Sequence, residues 1–315
     1  MIKHRALVTG AAGFIGRPLV RRLLDRGYDV AALDNRRSGL EQMSDLARTG
    51  HLRVDKCDIT DQSHVAHVIR RESPSALIHL AAHHYIPFCE GNPRETVHVN
   101  LHGLSNILSA LDHTHGTPHV VLFASSADVY APSDGPMAED DQTQPSSVYG
   151  ATKLLGERLM LEWARARRGR RIINGRLFNV YGPGDRTPHL IPHILDGVRT
   201  GGPIMLGTLA PKRDYIYIDD VVALLCALIE MPKSPQVLNL GTGQASSVAE
   251  VVEAVGAVIG HPLTARVDAQ RARPTDRVHL QADTARLKAM FPDFRPYSLR
   301  SGLTDMLRPL NAHRL

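Results

Sequence analysis

The sequence predicts an α/β protein built on a doubly wound parallel sheet, with a smaller, loop-rich lobe toward the C-terminus. Three observations predict it. Short apolar runs of strand character alternate with helical patterns from Ala6 to Leu240. The first of these strands runs straight into a glycine turn that opens a helix. After Asn179 the rhythm breaks into loops marked by Gly182 to Gly184, Gly201 to Pro203 and Gly241 to Gly243. Alternation of this kind covers both faces of a parallel sheet with helices. At 315 residues, 43% of them hydrophobic, the chain can bury a substantial core in one large or two medium domains.

Ala6 to Gly10 reads as a short buried strand, and Leu19, Val20, Leu23 and Leu24 set the helical pattern that follows. Between them lie Gly10, Gly13 and Gly16, spaced so that the backbone turns tightly and a pyrophosphate reaches the helix N-terminus. Pro18 falls in the first helical turn, where its missing N–H costs little. Val30 to Asp34 is the second strand and ends in a carboxylate placed to hold a ribose 2′-hydroxyl. Together these features predict a dinucleotide site. Asp34 would repel a 2′-phosphate, which favours NAD over NADP, although Arg36 and Arg37 leave NADP open.

Further strands are expected at Leu52–Cys57, Ala76–Ala82, Val120–Ser125, Ile172–Asn179 and Gln236–Leu240. Asp58 and Ile59, at the end of the third strand, are candidates to touch adenine or to form an ordinary turn. Pro93–Leu111 predicts a helix with Val97, Leu101, Leu104, Leu108 and Leu111 on one stripe. Ser247 and Glu250 form a capping box that opens a helix through Ile259. The expected division is a dinucleotide domain at 1–177, with a returning segment near 214–243, and a substrate lobe at 178–213 and 244–315. No internal repeat or low-complexity tract is present.

Composition excludes several classes. The net charge of +5 is spread along the chain, apart from a cluster at Arg165, Arg167, Arg168, Arg170 and Arg171 that follows a predicted helix. Cations there meet the negative end of the helix dipole, and without aromatic interleaving they do not signal nucleic acid. Cys57, Cys89 and Cys226 are odd in number and far apart, which fits a reducing cytoplasm rather than a disulfide framework. The N-terminal apolar run is too short for a signal peptide, and no stretch is long enough to span a membrane. His83 and His84 are adjacent, and no Cys, His and Asp set has metal-ligand spacing.

The chemistry centres on the helix expected to start near Ser146 or Ser147. Tyr149 and Lys153 lie four residues apart, on one face and one turn apart. An ammonium beside a phenol favours the phenolate, making a base able to take a proton from a sugar or alcohol hydroxyl. The buried strand Val120 to Ser125 delivers Ser126 to the carboxyl edge of the sheet, where its hydroxyl can relay a proton between substrate oxygen and phenol.

Gly10, Gly13, Gly16, Asp34, Leu80 to Ala82, Ser126, Tyr149 and Lys153 together resemble the extended short-chain dehydrogenase/reductases. Within that group the chain is most similar to the NAD-dependent nucleotide-sugar epimerases and dehydratases, UDP-glucose 4-epimerase-like members above all. The segments Arg176 to Pro183 and Arg213 to Asp220 resemble two further signatures of the group. The resemblance implies a Rossmann-type domain, a substrate lobe, and a homodimer built on Pro93–Leu111 and Ser147–Trp163. It implies NAD contacts from Gly10, Gly13, Phe14, Ile15, Gly16, Asp34, Asn35, Asp58, Ile59, Leu80, Ala81, Ala82, Asn100, Tyr149 and Lys153. It implies that Asn179, Arg213 and Arg273 hold a nucleotide diphosphate, where the planar guanidinium fork suits phosphate oxygens. His84 stands where many galactose-type epimerases carry lysine, and Arg186 is a candidate to face a sugar carboxylate.

Three activities are compatible with these residues. In a nucleotide-sugar 4-epimerase, Tyr149 takes the 4-hydroxyl proton with help from Ser126, and the 4-keto sugar turns over before reduction on its other face. In a 4,6-dehydratase or decarboxylase, the same oxidation precedes elimination. Resembling dehydratases carry an Asp-Glu pair directly after the hydroxyl residue, and here those places are Ala127 and Asp128. Ala127 cannot act as an acid and Asp128 is one methylene shorter than glutamate, which favours epimerisation. A catalytically silent NAD-binding protein is the remaining class, disfavoured because Ser126, Tyr149 and Lys153 are all retained.

Overall fold

The structure is a computed structural model that describes residues 4–41, 43, 46, 50–113, 118–166, 169–268, 270 and 277–311, without the side chains of 37, 38 and 309–311. In chain order the strands are β1 (Arg5–Thr9), β2 (Asp29–Asp34), β3 (Leu52–Lys56), β4 (Ala76–His79), β5 (Val120–Ser126), β6 (Ile172–Leu177), β7 (Asn179–Tyr181), β8 (Ile204–Leu206), β9 (Lys212–Tyr217), β10 (Val237–Leu240), β11 (Ala245–Ser247), β12 (Ala265–Val267) and β13 (His279–Leu280). The helices are α1 (Gly16–Asp25), α2 (Arg37–Glu41), α3 (Gln62–Glu72), α4 (Ile86–Gly91), α5 (Pro93–Val97), α6 (Gly103–Asp112), α7 (Val148–Arg165), α8 (Leu190–Thr200), α9 (Ile218–Glu230), α10 (Val248–Ile259), α11 (Ala285–Met290) and α12 (Leu299–Asn311).

The main sheet has seven strands in the order β10, β6, β5, β4, β1, β2, β3. Strand β1 pairs in parallel with both β2 and β4, β2 with β3, and β4 with β5. Chain order therefore reverses between β1 and β4, the switch point of a doubly wound Rossmann-type sheet, and ligands bind such sheets beyond the carboxyl ends there. All seven residues of β5 are buried, as expected of a strand covered on both faces. On one face Leu7, Leu33, Leu77, Val121, Phe123, Val68, Leu104, Ile107, Met160 and Trp163 form one cluster under α3, α6 and α7. Each such side chain contributes about 1.5–3 kcal/mol on leaving water.

The chain divides into two compact units: residues 1–129, 143–176 and 222–238 form the first, and 130–142, 177–221 and 239–315 the second. In the second, β7 and β13 run parallel to β9 while β11 runs antiparallel to it, and β8 pairs with β12. Tyr130 donates to Asn239 Oδ1 at 2.6 Å and Arg277 donates to the Tyr130 carbonyl at 2.6 Å, which binds the 130–142 segment into this unit. The expected capping box is present: the Glu250 amide donates to Ser247 Oγ, and Glu250 Oε2 accepts from the Ser247 amide.

One helix differs from its expectation. Pro93–Leu111 is not one α-helix, because a π-helical turn at His98–His102 separates α5 from α6. A π turn inserts a residue and shifts the phase of everything before it. Leu104 and Leu111 face the core, whereas Val97, on the far side of the insertion, is 45% exposed.

Candidate active site

At the switch point the loops after β1 and β4 nearly touch. Gly10 has a left-handed φ of +68°, and a Cβ on it would lie 2.7 Å from the Ala81 amide nitrogen. A Cβ on Gly16 would lie 2.2 Å from the Gly10 carbonyl oxygen, and one on Gly13 would lie 2.9 Å from the same atom. Glycine is thus required at all three places by backbone against backbone. Helix α1 starts with no side-chain cap on its N-terminus, at Ile15 and Gly16. Phe14 and Ile15 complete a turn whose amides and dipole suit a diphosphate.

Asp34, buried at the end of β2, accepts from the Ala12 amide at 3.0 Å through Oδ2 and from the Arg36 amide through Oδ1. Arg36 also folds back on it, with Nε 3.3 Å from Oδ1. Asn35 donates to Asp58 across 3.3 Å, bringing the tips of β2 and β3 together. Burial pushes the Asp58 carboxyl up, but hydrogen bonds from the Thr60 amide and hydroxyl and from Asn35 outweigh it and hold the group below its usual range. The glycine turn and the carboxylates at the ends of β2 and β3 fit a dinucleotide. The Ile59 side chain is buried in the core, where its Cδ1 would meet a Cβ on Gly103 at 2.4 Å. Leu80 and Ala81 stay partly accessible beside Thr9, whose carbonyl accepts from the Leu80 amide, and Ala82 follows in the same loop. Asn100 lies inside the π turn. It accepts from the His83 amide and donates to the His83 carbonyl and to Thr152 Oγ1, at 2.8, 2.9 and 3.0 Å.

Ser126, Tyr149 and Lys153 are brought together. Helix α7 begins where expected, because Ser147 Oγ accepts from the Gly150 amide at 2.9 Å. A Cβ on Gly150 would lie 2.6 Å from the Asp128 carbonyl oxygen, so glycine there lets the first turn of α7 settle against the residues after β5. Ser126 Oγ accepts from the Asp128 amide at 3.1 Å, and the Ser126 side chain is near enough to Tyr149 to pull the phenol's pKa down. Lys153 is buried, with Nζ 2.7 Å from the Ala124 carbonyl, 4.8 Å from the centre of the Phe123 ring and 5.7 Å from that of Tyr149.

The electrostatics correct the expectation drawn from spacing. Burial pushes the Tyr149 phenol above its ordinary value and the Asp128 charge adds to this, with the Ser126 hydroxyl pulling the other way. Burial also pushes Lys153 down to about 7, against opposite effects of Cys89 and Glu157. The spacing of four fixes which face the two groups share, but not how deep that face lies. The Lys153 value has a consequence for stability. The unfolded chain binds the proton up to its ordinary 10.5 and the folded chain only up to about 7, so the group's contribution to stability rises with pH across that window. The stability of Lys153→Met relative to the parent is therefore expected to decline as pH rises from 7 toward 10.5, in a series of thermal melts. A difference that does not change with pH contradicts it.

The remaining candidates fall elsewhere. His84 is exposed in the loop after β4. Asn179 opens β7, opposite Tyr215. Arg186 is exposed beside Asp185, whose carboxylate accepts from the Thr187 amide and pairs with His189. Arg213 is half-buried and donates to the Arg277 carbonyl at 2.7 Å. Arg273 lies outside the described residues.

Sequence reasoning missed a buried polar set behind Lys153. Arg176 grips Glu157 with two bonds, Nε to Oε1 at 2.9 Å and Nη2 to Oε2 at 2.8 Å, and Ser125 Oγ donates to Oε1 at 2.5 Å. The available signal was Glu157 itself, four residues beyond Lys153 on a helix face that also carries Gly156. His79 was missed too: its Nδ1 lies 2.6 Å from Thr9 Oγ1, its ring stacks on Phe123, and burial holds it neutral by pushing it down to about 3.

A glycine turn at a sheet switch point, with a serine, tyrosine and lysine converging nearby, fits a dinucleotide-dependent enzyme. The NAD-dependent epimerase/dehydratase family model matches residues 6–241, and the chain belongs to that family. It is 32% identical over 286 residues to a UDP-glucose 4-epimerase of Corynebacterium glutamicum, covering 85% of this chain and 84% of the relative. Among solved structures it is similar to MoeE5 in complex with UDP-glucuronic acid and NAD, at 32% identity and TM-score 0.85 over 99% of this chain and all of that one. It is also similar to TunA, an NAD-dependent NDP-hexosamine 5,6-dehydratase, at 28% identity and TM-score 0.85 over 98% of each chain. The family thus spans epimerases and dehydratases.

Proposed function

We propose that the chain is an NAD-dependent nucleotide-sugar 4-epimerase acting on a UDP-hexose or UDP-uronic acid through a transient 4-keto sugar. The observation that carries this is the convergence of Ser126, Tyr149 and Lys153 with a buried alanine, Ala127, directly after the serine. An epimerase needs one acid–base group that takes a proton and gives it back, and Tyr149 with Ser126 supplies it. Elimination needs further groups in reach of the sugar, and Ala127 has none to offer.

NAD, when bound, supplies hydride transfer at the sugar carbon. Gly10, Gly13, Phe14, Ile15 and Gly16 would hold its diphosphate, Asp34 its ribose, and Asn35, Asp58 and Leu80 to Ala82 the surrounding wall. Tyr149 takes the 4-hydroxyl proton as the alcohol is oxidised and returns it to the keto oxygen on reduction. Ser126 hydrogen-bonds the phenolate that does this, and Lys153, when charged, adds a Coulombic pull in the same direction. In the second unit Asn179 and Arg213 are the candidates for the nucleotide diphosphate and Arg186 for a uronic carboxylate. The likeness to a protein solved both with UDP-glucose and with UDP-glucuronic acid supports a UDP-hexose and a UDP-uronic acid alike.

A dehydratase or decarboxylase is the second reading, favoured by Asp128. Its carboxylate lies 3.5 Å from Ser126 Oγ and acts on the Tyr149 phenol, so one acid does stand beside the trio. Mass and NMR analysis of UDP-glucose and UDP-glucuronate after incubation separates the two. A product of unchanged mass supports epimerisation, and loss of water or carbon dioxide supports the alternative.

The same reading includes a homodimer in a reducing cytoplasm. Leu155 and Leu159, one turn apart on α7, and Val97 of the neighbouring α5 are exposed, and all three cysteines are free. Burying such a stripe in a second copy removes apolar surface from water. Leu155→Glu with Leu159→Glu is expected to convert a dimer to a monomer by light scattering. A monomeric parent, or a doubly substituted chain that stays dimeric, contradicts the assignment.

A further inference from the structure

Glu157 is 2% exposed and lies one turn beyond Lys153 on α7, as Lys153 lies one turn beyond Tyr149. Its carboxylate is held from two strands at once. Arg176 of β6 approaches bidentately, and Ser125 of β5, the residue before Ser126, donates to the same carboxylate. Helix and sheet are in close contact here, since a Cβ on Gly156 would lie 2.6 Å from the Phe123 ring.

We propose that Glu157 is a positioning residue for the catalytic trio, tying the end of β5, and so Ser126, to α7 and setting a negative charge one turn behind the Lys153 amine. This rests on the role given above to Ser126, Tyr149 and Lys153.

The groups around the amine leave this task to Glu157. Lys153 faces the Phe123 ring and the Ala124 carbonyl of β5, the Tyr149 ring of α7, Cys89 of α4 and His79 of β4. Burial keeps His79 neutral and pushes the Cys89 thiol up, so neither carries charge at neutral pH. Glu157 is the carboxylate whose charge favours the ammonium. A buried carboxylate alone would be costly, and the Arg176 fork offsets that cost by pairing with it. The arrangement thus places a counter-charge one turn behind the amine, away from the phenol.

Lys153 can be read directly. The chain has six lysines, and labelling their ε-carbons with carbon-13 gives one NMR titration each. The Lys153 signal is identified by its absence from Lys153→Met. In the full chain carrying both Glu157→Gln and Arg176→Met, which removes the pair without stranding a guanidinium, the Lys153 midpoint is expected to fall by about one pH unit. Ser125→Ala keeps the charge and loses the tether, so the midpoint should hold while kcat drops about tenfold with KM little changed. If the double variant does not fold, Glu157→Gln with Arg176→Gln, which also removes both charges, is read in the same way. An unmoved midpoint in the charge-removing variant, or an equal fall in Ser125→Ala, overturns the proposal. Because the titration needs no turnover, either result is distinguishable from failure of Tyr149 as the base.

Discussion

Tyr149→Phe is expected to cut turnover by about 100- to 10,000-fold, the usual worth of a positioned general base. Phenylalanine keeps the ring beside Lys153 and removes only the hydroxyl that Ser126 hydrogen-bonds. The glycine turn and Asp34 are untouched, so NAD affinity should match the parent. A single hydrogen bond of this kind is worth about 1 kcal/mol net, so the thermal midpoint should barely move. Turnover, NAD titration and a melt on one preparation separate loss of chemistry from loss of fold. Near-parental turnover in this variant removes Tyr149 from the mechanism.

Gly16→Ala is expected to have the second large effect, on cofactor binding rather than chemistry. The new methyl would sit 2.2 Å from the Gly10 carbonyl oxygen and 2.7 Å from Ala11 Cα. Both neighbours are backbone, so neither can swing aside, and the turn itself must open. Overpacking of this kind costs about 1–3 kcal/mol or more in stability. Opening the turn also moves the amides at the start of α1, and NAD affinity should fall about tenfold or more. Gly27→Ala is the comparison. Gly27 also has a left-handed φ, +82°, but nothing lies within 4 Å of its added Cβ. It should lose about 1 kcal/mol for the backbone conformation and bind NAD normally. Equal NAD binding by the two variants would show that the close approach at Gly16 does not shape the site.

Most of the first unit was legible because its signals are local. Strand–turn–helix with Gly10, Gly13 and Gly16, the acid at the end of β2, and the serine cap of α7 each act within a few residues, and each is found in place. What failed depended on the third dimension. The apolar stripe of Pro93–Leu111 cannot report a π turn, since an inserted residue leaves the spacing after it intact and only turns Val97 outward. The packing of the Ile59 side chain under Gly103 had no local signal, because it depends on a helix more than forty residues away in the chain. The pair Tyr149 and Lys153 was found by spacing, but their ionisation follows from burial that only the packed sheet creates. Glu157 stayed hidden for the same reason: its partners, Ser125 and Arg176, come from two separate strands.

The measurement that bears most directly on the mechanism uses UDP-glucose and UDP-glucuronate carrying deuterium at C4. Epimerisation at C4 predicts that one of them yields its 4-epimer with mass unchanged and the deuterium still on C4. Product that has exchanged the label with solvent, product lighter by water or carbon dioxide, or no conversion of either sugar would contradict it.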